Sequence, residues 1–136
     1  MTNNRQIKFR VWDKFRKKMV KNILTIKFDR DEKPCLIVYT DKKIKGEITE
    51  QDKVFTNEFD LLQYTGIKDK KGIEIYDGDI VKKGLYAYEV VWFQHEARFG
   101  FNPQEDEEPE IMNKYNIEND FEVIGNIYQN KELLTN

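Results

Sequence analysis

Gln63-Tyr-Thr-Gly-Ile-Lys-Asp-Lys-Lys-Gly-Ile-Glu-Ile-Tyr-Asp-Gly-Asp-Ile-Val81 is the stretch on which the fold turns. Its glycines, Gly66, Gly72 and Gly78, recur six residues apart among short apolar pairs, each beside polar residues suited to a turn. The spacing predicts a turn–strand–turn–strand unit whose backbone reverses or kinks at each glycine. Thr65-Gly66 is expected to close an incoming strand, and Asp69 to accept local backbone bonds in the loop ending at Gly72. Ile73 and Ile75 are expected to point inward, and Asp77-Gly78-Asp79 to turn the chain into a strand from Ile80 that Lys82-Lys83-Gly84 ends.

Outward from this stretch, short strands continue in both directions. Toward the C-terminus, Val90–Phe93 has two β-branched residues followed by two aromatics, the composition of a central strand, with Arg98–Phe101 as its partner. Phe121–Tyr128 reads as a closing strand with Gly125 at a bulge or close approach, and Lys131–Leu134 as one terminal helical turn. Pro103–Glu110 holds five acidic residues and two prolines with no apolar side chain, which predicts an exposed, self-repelling loop.

Toward the N-terminus, Ile7, Phe9 and Val11 alternate with Lys8, Arg10 and Trp12, the period of a half-buried strand. A polar turn over Asp13–Lys18 leads into an antiparallel return at Met19-Val20. Ile23–Thr40 forms a hairpin with its turn at Asp29–Pro34. Asp41–Lys53 is polar and reads as a loop or a weak edge hairpin. Phe55–Gln63 fits either a short helix capped by Thr56 or Asn57 or a strand from Phe59 to Tyr64, and the strand is favoured.

Few helical periods occur. The expected architecture is mainly β: an N-terminal antiparallel sheet (residues 1–62) packed with a small C-terminal SH3-like barrel (residues 63–136), with at most one or two short helical turns. At 136 residues the chain can bury a core without staples, and 39% hydrophobic with 13% aromatic residues is a globular composition in which the aromatics are expected in the core. The single Cys35 excludes an internal disulfide and reads as a small buried hydrophobe in a reducing compartment. The longest apolar run, Cys35–Tyr39, is too short for a membrane span, and the polar N-terminus does not fit a cleaved signal, so no membrane association is expected.

Chemistry-bearing patterns are scarce. Asp69, Glu74, Asp77 and Asp79 lie close in sequence but miss the spacing of a calcium loop, and turn chemistry accounts for them better. His95 is the only histidine, which excludes zinc centres built on several, and the glycines fit no phosphate-loop or nucleophile-elbow order. The expectation is a protein that is not an enzyme, with no cofactor and no metal. Charge is unevenly spread: Arg5–Lys21 holds eight basic residues and one Asp, whereas from Gln51 onward nine basic residues face eighteen acidic ones. Arg10, Lys14, Arg16, Lys17, Lys18 and Lys21, together with Lys8, crowd the first hairpin with Trp12 and Phe15 interleaved. That combination suits phosphate neutralisation with base stacking, docking on an acidic protein, or a homo-oligomer in which the acidic loop of one copy meets the hairpin of another; a merely solvated face has the same composition.

The central stretch, the C-terminal Val123-Ile-Gly-Asn-Ile-Tyr-Gln-Asn-Lys-Glu-Leu-Leu134 and the opening Ile7-Lys-Phe-Arg-Val-Trp-Asp13 with Met19 together resemble the YopX family of bacteriophage and prophage proteins. This chain has Asp77 and Gln129 where the family pattern has Glu, and Lys131 where it has Pro. The resemblance implies a mostly β fold, an accessory phage protein and a place in the infected host's cytoplasm. It carries over no catalytic residues. A non-enzymatic binding or assembly module is therefore expected, with nucleic-acid binding or a homo-oligomeric structural role as alternatives.

Overall fold

Short strands joined by pinned turns carry most of the chain in the computed structural model, which describes residues 6–44, 47–55, 58–103, 110–111 and 114–135. The chain divides into two compact units, one formed by Phe9–Leu62 and the other by Met1–Lys8 with Gln63–Asn136.

In the first unit, β1 (Phe9–Asp13) pairs antiparallel with β2 (Lys18–Val20), placing Val11 opposite Val20, Trp12 opposite Met19 and Asp13 opposite Lys18. The opening residues of β6 (Phe59–Lys68) flank β1 on its other side. Val11 and Val20 form a small core with Ile23, Phe59 and Leu61. Arg10, Val11, Trp12 and Asp13 are all buried. The half-buried alternation expected there does not hold, because both faces of β1 are covered and Ile7, expected inward, is exposed.

A separate sheet is built from β3 (Ile23–Phe28), β4 (Pro34–Ile44) and β5 (Glu47–Phe55), all antiparallel. Its first turn lies where expected: Asp29 Oδ1 accepts from the amides of Asp31 and Lys33, and Pro34 stands opposite Phe28. Of the two readings of the polar 41–53 segment the edge hairpin holds: β4 and β5 pair from Ile37↔Phe55 to Ile44↔Glu47, since a ladder draws on backbone groups and not on side-chain polarity. Cys35 is half-buried rather than buried. The helix alternative at 55–63 gives way to β6; its caps, Thr56 and Asn57, lie outside the described residues.

The second unit contains the rest of β6, β7 (Glu74–Tyr76), β8 (Asp79–Lys83), β9 (Tyr86–Phe93), β10 (Arg98–Pro103), β11 (Glu110–Ile111), α1 (Lys114–Asp120) and β12 (Glu122–Asn126). Five strands form an antiparallel sheet in the order β11-β10-β9-β8-β12, with β9 at its centre as its composition requires. The fold is mainly β; among the described residues the pairings show curled antiparallel sheets, and the SH3-like barrel expected is not shown. Ile75, Val81, Tyr88, Val90, Phe101, Ile117 and Phe121 make the core, in which the Phe101 and Phe121 rings lie 4.5 Å apart and Tyr88 meets Phe121 edge-on at 5.9 Å. The terminal turn at Lys131–Leu134 is a 3-10 helix. The sequence did not announce α1: seven residues are too few for a helical period, and it inserts Ile117 into the core. Residues 104–109 of the acidic segment lie outside the described residues. Among the described residues no helix is long and apolar enough to cross a membrane.

The quoted stretch acts as a bracket on the C-terminal strand. Asp69, 3% exposed, accepts from the amides of Lys71 and Ile73 through Oδ1 and from the Val123 amide through Oδ2, at 2.8–2.9 Å. Lys70 N–H donates to Phe121 C=O, and Glu122 pairs with Lys71. Further along, the Tyr76 amide donates to Asp79 Oδ2, Gly78 N–H donates to Val90 C=O, and Ile127 N–H donates to Gly78 C=O. Gly78 has φ +83°, and a Cβ there would stand 3.0 Å from the Tyr128 ring. Two expectations need correction. Gly66 kinks β6 at a register shift between Tyr64 and Lys68 instead of ending it, and Ile73 is 50% exposed because Gly72 and the Asp69 bonds turn it outward.

Replacing Asp69 with Ala leaves three amides without their acceptor, so a loss of about 3 kcal/mol is expected in urea unfolding. Asp69→Asn, although isosteric, is expected to lose more than 1 kcal/mol (about 1–3), because its amide N–H would face a donor. Wild-type stability in both variants would contradict the bracket.

Candidate functional site

Asp13 builds the turn between β1 and β2. Its Oδ1 accepts from the amides of Phe15 and Arg16, each at 3.0 Å, and its Oδ2 accepts from the Arg16 guanidinium at 3.2 Å. Lys14 N–H donates to Glu58 C=O, while Lys17 takes the left-handed φ of 54° that tightens the turn before Lys18 pairs back onto Asp13. Burial alone would push the Asp13 carboxyl up, but the Arg16 amide, the Arg16 guanidinium and the Phe15 amide outweigh it and hold it below the ordinary aspartate range.

What this turn presents is a ring among cations. Phe15 is 80% exposed, and Lys14, Arg16, Lys17, Lys18 and Lys21 are exposed around it in sequence. Lys14 Nζ lies 3.4 Å from Asp60, and Arg16 is paired with Asp13; Lys17, Lys18 and Lys21 have no ion pair among the described residues. Arg10 is not part of the exposed set: it is 6% exposed in β1. Trp12 is 8% exposed and, unlike Phe15, offers no ring face to a ligand. Lys8 belongs to the other unit, where it pairs with Glu74 at 2.8 Å.

The acids are spent differently. Asp13, Asp69 and Asp79 are all buried and all accept backbone amides, as turn chemistry predicts for the latter two. Among the described residues no three His, Cys, Asp or Glu side chains gather as a metal-binding set. His95 is exposed in a 3-10 turn at Gln94–Glu96. Glu89 in β9 has its carboxyl pushed up by burial, partly offset by Lys131.

Assigning aromatic residues to the core misses two surfaces in the second unit. Trp92 is 44% exposed, edge-on to Phe99 at 5.0 Å, with Nε1 donating to Gln94 Oε1. Leu85 and Tyr86, 86% and 54% exposed, sit at the β8–β9 turn. A strand composition identifies such residues as β-formers but does not tell a core position from the end of a strand.

A family model described as YopX protein matches residues 8–135. The chain belongs to the YopX family. This YopX-family protein is similar in structure to protein EF1440 from Enterococcus faecalis, known from a crystal structure: identity is 27%, the TM-score is 0.65, and the match covers 96% of this chain and 99% of that one. No curated protein matches the YopX-family chain.

Because Asp13 has a lowered pKa in the fold, its ionised form adds stability above the ordinary value of 3.8, and that contribution is lost as pH falls through the folded value. Urea unfolding of Asp13→Asn is accordingly expected to show a deficit against the wild type at neutral pH that narrows as the pH drops below 3.8. A gap that stayed constant throughout the acid range would show that the carboxylate charge contributes nothing to the turn.

Proposed function

We propose that this protein is a non-enzymatic binding module that meets an anionic partner through the β1–β2 hairpin tip, acting in the cytoplasm of the infected cell as an accessory phage protein. The observation that carries this reading is the contrast in how charge is used. The buried carboxylates Asp13, Asp69 and Asp79 each hold backbone amides, whereas Lys17 and Lys18 stand out in solvent at the turn that Asp13 fixes, with Lys21 exposed just past the far end of β2. A turn already pinned in place loses little conformational freedom on binding. With a formal net charge of −2, the molecule as a whole has no reason to seek polyanions, so attraction to one must be local.

Retention on immobilised heparin at neutral pH and low salt is therefore expected for the wild type, and the triple variant Lys17→Glu, Lys18→Glu, Lys21→Glu is expected to flow through while unfolding at the wild-type urea midpoint. A wild type that flows through would overturn the assignment of the tip as the contact surface.

A further inference from the structure

The exposed Phe15 narrows the class of anion, and we infer that the β1–β2 hairpin binds single-stranded nucleic acid, stacking Phe15 on an unpaired base while Lys17 and Lys18 at the turn neutralise the flanking phosphates and Lys21, past the end of β2, meets one further along the strand. The inference rests on the tip being the contact surface of the proposed function.

The ring and the cations are separately informative. A phenyl side chain that is 80% exposed contributes nothing to the small core of Val11, Val20, Ile23, Phe59 and Leu61, and no packing of that core requires a large apolar group at this position. Its backbone is nevertheless fixed: Asp13 Oδ1 accepts from its amide and from the next one, and β1–β2 pairing closes the turn at Asp13↔Lys18. The ring is thus presented on a rigid tip, at the cost only of its own side-chain rotamers.

Three chemistries would use the ammonium groups, but they differ over the ring. An acidic peptide needs the cations alone. Duplex DNA turns phosphates outward and keeps its base faces stacked against one another, leaving nothing for a phenyl face to meet. A single strand offers phosphates and unstacked base faces in alternation, which is the pattern of an aromatic residue among lysines. Stacking is tolerant of base identity because every base has a π face, so little sequence preference is expected.

Fluorescence anisotropy with a labelled oligothymidylate of about fifteen nucleotides, and with a duplex of equal length, tests this on the intact chain. The duplex has the higher charge density, so a purely electrostatic tip would prefer it; the expected result is tighter binding of the single strand. Phe15→Ala is expected to weaken single-strand binding by about 5- to 100-fold and to leave the duplex unaffected. Lys17→Ala is expected to lower the slope of log affinity against log salt by about 0.7. Because Phe15 is exposed, loss of binding in its alanine variant would not come from misfolding, and an unchanged urea midpoint confirms this. Heparin retention combined with equal or tighter binding of the duplex, or with a silent Phe15→Ala, would overturn the single-strand inference and leave the contact surface standing. Capture of polyglutamate in preference to either nucleic acid would overturn it in favour of an acidic protein. Absence of heparin retention would remove the contact surface itself.

Discussion

The second unit depends on one carboxylate. Asp69 takes two amides from its own loop and a third from Val123, far along the chain, so a local turn and a long-range junction share one pair of oxygens. Buried carboxylates are costly unless hydrogen-bonded, and here three backbone amides serve this one. The same loop gains Lys70 N–H to Phe121 C=O, which places the Phe121 ring in the core beside Phe101 and Tyr88. The Gly78 turn repeats the arrangement one step later through Ile127. The two stretches Gln63–Val81 and Val123–Leu134 are thus halves of a single structural junction.

Much of this was legible from the residues. Asp-Gly and Asp-Lys-Lys-Gly turns, the β-branched and aromatic run at Val90–Phe93, and Gly125 between Val123 and Asn126 all led to the observed elements, and the bulge lies at the expected place. Gly125 also shows close approach, since a Cβ there would stand 2.6 Å from Asn130 Oδ1, which accepts from the Asn126 amide. These features are local, and local chemistry is what a sequence displays. The failures are non-local. Burial of Arg10, Trp12 and Asp13 depends on what covers both faces of β1, and the outward turn of Ile73 depends on which partner Asp69 finds. For the polar β4–β5 segment composition left loop and edge hairpin both open, because strand pairing needs no apolar periodicity when backbone groups supply the ladder.

For the candidate site, composition drew attention to the basic hairpin, and one residue it counted there, Arg10, is buried. Exposed charge in the hairpin was readable from the density of Lys and Arg over Lys14–Lys21, whereas the inward position of Arg10 and the pairing of Arg16 with Asp13 are set by the tertiary structure. Phe15 and Trp12 look equivalent in sequence, yet one is presented and the other buried. Turn geometry decides between them, because Asp13 bonds the Phe15 amide and fixes where that side chain emerges.

The clustered acids and glycines of Gln63–Val81 at first invite assignment as a phosphate or metal site; their bonds make them scaffold, and the ligand-facing surface we propose is the basic tip. Backbone amide shift mapping during titration with a heparin-derived oligosaccharide tests that division most directly. The expected result is perturbation concentrated in Lys14–Lys21, with the amides of Lys71, Ile73 and Val123 unmoved. Perturbation centred on Asp69–Asp79, with the hairpin tip silent, would contradict it.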